Sequence, residues 1–221
     1  MSLRDQKPTL PGHIAGGALA GTTLLSAYLY VVRPRQLTWG ATDEEIERPM
    51  PGDEIVERPG FNATRAVTIE APPGKVWPWI VQIGYSRAGW YTYDWIDNLG
   101  RPSADSIIPE LQRLEVEDLI PIFDGYGFVV SAMEPDRWML WEDQQRERGT
   151  SWLWMLDPAG EDRTRLITRV RMRHDWRSPK ILFSLLIDLA DNMVMMRKCM
   201  LGIKERAEAL REEFVFEGRK R

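Results

Sequence analysis

Polar and apolar residues alternate along several stretches of this chain and recur at helical spacing along others. In residues 64–72, Val67 and Ile69 fall on one face and Thr68 and Glu70 on the other, which predicts a strand. Pro72-Pro73 ends it and opens a helix, GKVWPWIVQIG, where Val76, Trp77 and Ile80 recur at helical spacing. Pro78 reads as early enough in that helix to be tolerated. SADSIIPELQRL reads as short helix or turn and EVEDLIPIF as a strand. DGYG then makes a hairpin turn into FVVSAMEP, and RWMLWED and TSWLWMLDP are two further strands. In RTRLITRVRMRHD, Leu166, Thr168, Val170, Met172 and His174 share one face, and Arg165, Ile167, Arg169, Arg171 and Arg173 the other. That pattern predicts a sheet with one buried face and one wet, basic face. Ser178-Pro179 starts a helical segment, KILFSLLIDLADN, that is apolar nearly all round. Beyond it Met193, Met196, Met200, Ile203, Ala207 and Leu210 form a helical stripe fit to lie along a sheet.

The order is therefore strand, helix, short helices, grouped strands, long amphipathic helix. Grouped strands followed by a helix predict an α+β fold, with one curved antiparallel sheet wrapped around the long C-terminal helix.

Ahead of this lies a different pattern. Residues 14–32 are nineteen positions without a charge, about 28 Å long as a helix, which suits a bilayer core. Tyr28, Tyr30, Arg33 and Arg35 sit where interfacial anchors belong. A single membrane-type helix is expected over 13–33, preceded by a tail at 1–12. A buried helix and a cleaved signal are the competing readings. Gly16, Gly17, Gly21, Thr22 and Thr23 are weak helix formers in water, and LLSAY is a poor cleavage site. Arg4 and Lys7 nearly balance Arg33 and Arg35, so orientation stays open; a single-pass membrane protein with a cytoplasmic domain is the expectation. Residues 34–63 read as a turn-rich connector with a capping box, Thr42 and Glu45, and a stop at Pro49. The compact domain is placed at 64–214 and a tail at 215–221.

Composition narrows the chemistry. A net charge of −4 argues against nucleic acid as a partner. One cysteine, Cys199, allows no intramolecular disulfide, and with only His13 and His174 no Cys/His zinc site can be assembled. No metal and no cofactor are expected. No nucleophile motif, phosphate loop or dinucleotide fingerprint occurs. Ten tryptophans and ten methionines suit an extensive apolar interior or a cavity with adaptable walls.

The element order, with TIEAPPGKVWPWIVQIG, resembles the START-like (SRPBCC, helix-grip) superfamily. Val67, Ile69, Ala71, Pro72, Val76 and Trp77 carry its strand-then-AP pattern. The GWYTYDW segment (89–95), PELQRL (109–114) and the helix segment 195–208 look like uncharacterised bacterial members. The resemblance covers 64–213. It implies a space between the sheet and the last helix that holds an apolar ligand. Relatives include lipid carriers, plant hormone receptors and polyketide cyclases or dehydratases. No catalytic residue set comes with it.

Three classes of function follow: a membrane-tethered domain binding a lipid-like hydrophobic molecule, a cyclase or dehydratase, or a protein-interaction or structural role with a filled interior. Expected ligand contacts are Trp90, Tyr91, Tyr93, Asp94, Trp95, Trp152, Trp154, Met172, His174 and Met196. In GWYTYDWIDNLG a helix from Tyr91 would put Tyr91 and Trp95 on one face beside Asp94, as a pocket wall with a polar anchor. The same rings equally suit plain core, with Asp94 capping a helix. His174 could serve as a base or donor, or as a satisfied structural group. The arginine row could meet lipid head groups or pair with glutamates on a solvated face. Catalytic residues are unknown, as are ligand identity and oligomeric state.

Overall fold

The computed structural model describes residues 23, 26–145, 149–173 and 195–218. It divides into two compact units, Met1–Gln36 and Leu37–Arg221. In the first, a helical turn at Tyr28–Val32 leads into α1 (Arg33–Leu37). Leu29, Tyr30, Val31 and Val32 are exposed there, and the Arg35 guanidinium donates to the Val31 carbonyl at 2.8 Å. Most of the run 14–32 lies outside the described residues. Among the described residues no helix is long and apolar enough to cross a membrane.

The second unit opens with α2 (Asp43–Glu47), which carries the expected capping box. The Thr42 hydroxyl accepts from the Glu45 N–H at 3.2 Å, and the Glu45 carboxylate accepts from the Thr42 N–H at 2.8 Å. Arg48 is already extended because Pro49 follows it.

Six strands follow: β1 (Phe61–Ile69), β2 (Leu119–Phe123), β3 (Tyr126–Glu134), β4 (Trp138–Asp143), β5 (Thr150–Pro158) and β6 (Thr164–Met172). They form one antiparallel sheet in the order β1-β6-β5-β4-β3-β2, so all but β1 lie beside a sequence neighbour. Between β1 and β2 run α3 (Pro73–Val81), α4 (Asp94–Asp97) and a 3-10 turn at Pro109–Leu111. Pro78 falls in the second turn of α3, one turn later than the sequence pattern suggests. The long helix α5 (Met196–Gly218) closes the chain. Met196, Met200, Ile203 and Ala207 are buried on it, as the stripe predicts, and Cys199 is buried with them. Met193 and the side chain of Leu210 lie outside the described residues. This is the expected α+β helix-grip arrangement.

The two faces of the sheet bury different things. On the inner face Phe61, Ala63, Ile69, Val130, Trp141, Trp152, Trp154, Leu156, Leu166 and Val170 pack with α3 and α5 into the main core. Burying one such large side chain stabilises by about 1.5–3 kcal/mol. On the outer face Ala66, Leu140, Leu153 and Ile167 form a second core under Met50 and Ile55. The expected wet face is therefore corrected. Arg165 and Arg169 are covered by residues 40–53 of the presumed connector, which packs as a belt. Arg165 pairs with Glu45 at 2.7 Å, and Arg169 and Arg171 both pair with Asp53 at 2.7 Å. The strand β1 also begins at Phe61, earlier than the alternation at 64 indicates, because residues 61–63 extend its pairing with β6.

Candidate functional site

Register puts two cross-strand rows on the inner face. One runs Ala63, Val170, Trp152, Trp141, Val130. The next runs Arg65, Thr168, Trp154, Met139, Met133. Neighbouring members of a row sit about 5 Å apart at the backbone, so their side chains touch. Large aromatics at three adjacent positions cannot lie flat together, and they interleave. Trp152 meets Trp141 edge-on at 5.2 Å and stacks with Trp154 at 5.4 Å, while Trp90 stacks on Trp152 at 5.8 Å. Phe128 abuts Trp152 at 5.2 Å.

Within this cluster the polar atoms are unequally served. The Trp152 indole donates to Thr168 Oγ1 at 2.8 Å, and that hydroxyl donates to the Leu153 carbonyl at 2.9 Å. Trp141 and Trp154 have 0 % exposure, and their Nε1–H groups have no acceptor among the described residues; Trp79 Nε1 on α3 is in the same state. A buried donor without an acceptor costs about 1–3 kcal/mol. Ring faces are weak acceptors and recover only part of that. Arg65 is 1 % exposed and brings a guanidinium to the same face, two strands from Trp154. Trp90, Trp152 and Phe128 each keep 8 % of their surface accessible at the margin of this cluster.

The GWYTYDW segment is a strap that crosses α5 at Gly202 and Arg206. Tyr91 adopts a left-handed backbone (φ 57°), so no helix begins there. Its ring is buried; its hydroxyl donates to the Trp79 carbonyl at 3.1 Å and accepts from Gln82 Nε2 at 3.0 Å. Burial pushes the phenol up, and it stays protonated. The Arg206 guanidinium covers the ring at 4.5 Å and donates to the Ala104 carbonyl at 2.8 Å. A Cβ at Gly202 would lie 2.5 Å from the Tyr91 carbonyl oxygen, so only glycine lets α5 approach this closely. Gln82 fixes the other end: its amide also donates to the Ser106 carbonyl (3.2 Å), and its oxygen accepts from the Ile108 N–H (2.9 Å).

Asp94 opens α4 at the surface. Its Oδ1 accepts from Ser103 Oγ at 2.6 Å and Asn98 Nδ2 at 3.0 Å. Burial would raise its pKa, but the Ser103 and Asn98 bonds and the Arg206 charge outweigh that and hold it below the ordinary value. It is the fastening of a turn.

Trp90, Trp152, Trp154 and Met196 meet in the main core, with Met172 packed against its edge and Tyr91 holding the strap. Tyr93 and Trp95 are exposed, so Tyr91 and Trp95 share no face. His174 lies outside the described residues. Trp141 and Arg65 escape a reading focused on GWYTYDW. Parity carries both: Arg65 falls in step with Val67 and Ile69, and Trp141 in step with Met139. Apart from this cluster, a surface recess of about 380 Å³ is lined by Glu54, Ile55, Glu57, Arg58 and Arg173, none of them an expected contact.

No protein-family model matches the chain, and no curated protein does. Solved structures do. Protein MLL2253 from Mesorhizobium loti is 14% identical over 67% of this chain and 98% of its own, with a TM-score of 0.40. Aha1 from Colwellia psychrerythraea is 17% identical over 67% and 96%, at 0.35. A polyketide-cyclase-like protein of Corynebacterium glutamicum is 16% identical over 71% and 92%, at 0.32.

Proposed function

We propose that the Leu37–Arg221 unit binds a largely apolar molecule that carries an oxygen acceptor, held against the indole-lined inner face under α5. The observation that carries this reading is the pair of fully buried indole N–H groups on Trp141 and Trp154, which lack acceptors among the described residues. A carbonyl or carboxyl oxygen on a bound molecule would satisfy them. Arg65 adds positive charge on the same face, which favours a carboxylate-bearing or ester-bearing amphiphile over a bare hydrocarbon. We read residues 14–32 as a membrane tether that supplies such a ligand from the bilayer, with the domain on the cytoplasmic side.

The cyclase or dehydratase alternative needs polar groups converging on the inner face. Asp94 is committed to Ser103 and Asn98 in a surface turn, so that alternative has no observation in its favour.

The test uses the full chain, purified in mild detergent and titrated with oleate and, separately, with a hydrocarbon of the same length. Oleate should change the tryptophan emission saturably and bind about tenfold more tightly than the hydrocarbon, the worth of one hydrogen bond. Trp154→Phe and Trp141→Phe should each narrow that gap. The absence of saturable binding, with no lipid in an extract of the purified protein, would sink the proposal.

A further inference from the structure

The segment that follows the strap is turned inside out. Over residues 93–103 three polar side chains face inward: Asp94 and Ser103 are half-buried, Asn98 is buried, and the three bond to one another at 2.6–3.0 Å. The apolar side chains face water. Trp95 and Leu99 are each 74 % exposed, Ile96 46 % and Tyr93 36 %. Trp95 lies in α4 and Leu99 two residues beyond its end. The backbone is strained to keep this arrangement, since Leu99 takes φ 50° although it is not glycine. Ordinary folding favours the opposite placement, because each large apolar side chain left in water forgoes about 1.5–3 kcal/mol of burial.

We propose that this turn is a wedge that enters the interfacial layer of a lipid bilayer. Three features select a bilayer over a protein partner. The apolar cluster is one turn of four side chains, far short of the roughly 800 Å² per partner that a stable protein interface needs. Its residue types, Trp and Tyr with Leu and Ile and an exposed Arg101 alongside, are those of the membrane interface, where an aromatic ring sits at head-group level and a cation at the phosphates. The chain also carries the charge-free run 14–32, which as a membrane tether would hold the chain at a bilayer, where such a turn meets lipid. The inference does not depend on an interior ligand.

The test is position-specific, so the tether cannot mimic the wedge. In the full chain, Leu99→Cys is labelled with an environment-sensitive dye. Native Cys199 is buried and stays unlabelled. Glu161→Cys, exposed in the β5–β6 turn, is the control. Each protein is incubated with phosphatidylcholine vesicles containing a minority of phosphatidylglycerol, with and without nitroxide-labelled lipid. The dye at 99 should brighten several-fold, shift to the blue and be quenched by shallow nitroxides, while the dye at 161 does none of these. Trp95→Ser in the labelled protein should reduce the quenching. A dye at 99 that behaves like the one at 161, or a chain that does not bind vesicles at all, overturns the proposal. Brightening that follows protein concentration without lipid also overturns it, by identifying a second copy as the occupant.

Discussion

The two faces of one pair of strands, β5 and β6, treat polar groups in opposite ways. On the outer face Arg169 is 4 % exposed, and each of its five N–H groups finds an acceptor. These are Thr64 Oγ1, the carbonyls of Arg48, Glu45 and Ile46, and the Asp53 carboxylate, at 2.7–3.0 Å. Arg165 is held by Glu45 and by the carbonyl of Gly40. Arg171 leaves its Nε unserved but keeps an ion pair with Asp53. On the inner face, one residue away in either direction, the Trp154 indole has no acceptor among the described residues. A chain that spends a belt of backbone carbonyls on one buried guanidinium is able to satisfy deep polar groups. On the reading proposed above, a bound molecule would supply the acceptor that the inner-face indoles lack among the described residues. The outer face holds its arginines with partners from the chain itself, and the inner face is the one we propose to be occupied.

The sharpest way to break the contrast is at Asp53. Asp53→Ala strands two arginines beneath the belt, and removing one partner of a buried ion pair costs about 3–5 kcal/mol. Equilibrium urea unfolding should show that loss as a lower midpoint. A change below about 1 kcal/mol, the range of an exposed pair, would mean that the belt is not a closed structural layer.

A smaller effect separates strap from pocket. Gly202→Ala adds a methyl 2.5 Å from the Tyr91 carbonyl and 2.8 Å from its Cβ, neither of which can swing away. Overpacking of this kind costs about 1–3 kcal/mol, against about 1 kcal/mol gained in helix propensity. Net destabilisation in thermal unfolding is expected, and a stabilised variant would show that α5 is not pressed against the strap.

Trp154→Phe has a still smaller expected effect on the empty protein. It deletes ring volume but also an unserved donor, and the two contributions oppose each other, leaving about 1 kcal/mol or less by chemical denaturation. A loss near 3 kcal/mol would show that the indole N–H is satisfied within the protein, and the inner face would lose its distinction from the outer.

How much of this is legible in sequence follows from the range of each interaction. The capping box at Thr42 and Glu45 is contained in four residues, and it reads correctly. The period-2 pattern of Arg165, Arg169 and Arg171 names a face but not its cover. That cover is made by Asp53 and by the carbonyls of Glu45, Ile46 and Arg48, more than a hundred residues upstream in a stretch that reads as a turn-rich connector with one capped helical turn. The helix expected from Tyr91 fails because Tyr91 takes a left-handed backbone, and its close packing against Gly202 is a contact across 111 residues that no local pattern encodes. Aromatic density in GWYTYDW marks the right neighbourhood, while the row that matters runs across strands, where register and not spacing decides who meets whom.

The mildest perturbation tests the rim of the outer face by pH. Burial alone would raise the Glu45 carboxyl, but the hydrogen bond and charge of Arg165, the Thr42 N–H and Arg48 outweigh it, so its pKa lies below the ordinary 4.5. A carboxyl depressed in the folded state binds its proton more readily once unfolded. The stability it contributes is therefore complete above pH 4.5 and drains away as pH falls through the lower native value. Glu45→Gln keeps a cap acceptor for Thr42 but removes the charge facing Arg165. It should cost about 1 kcal/mol or less near neutrality and leave a shallower acid limb, read from urea midpoints across the acidic range. An unchanged acid limb would place the pH dependence elsewhere, with Asp94 and its Ser103 bond as the next carboxylate to substitute, since it too is depressed in the folded chain.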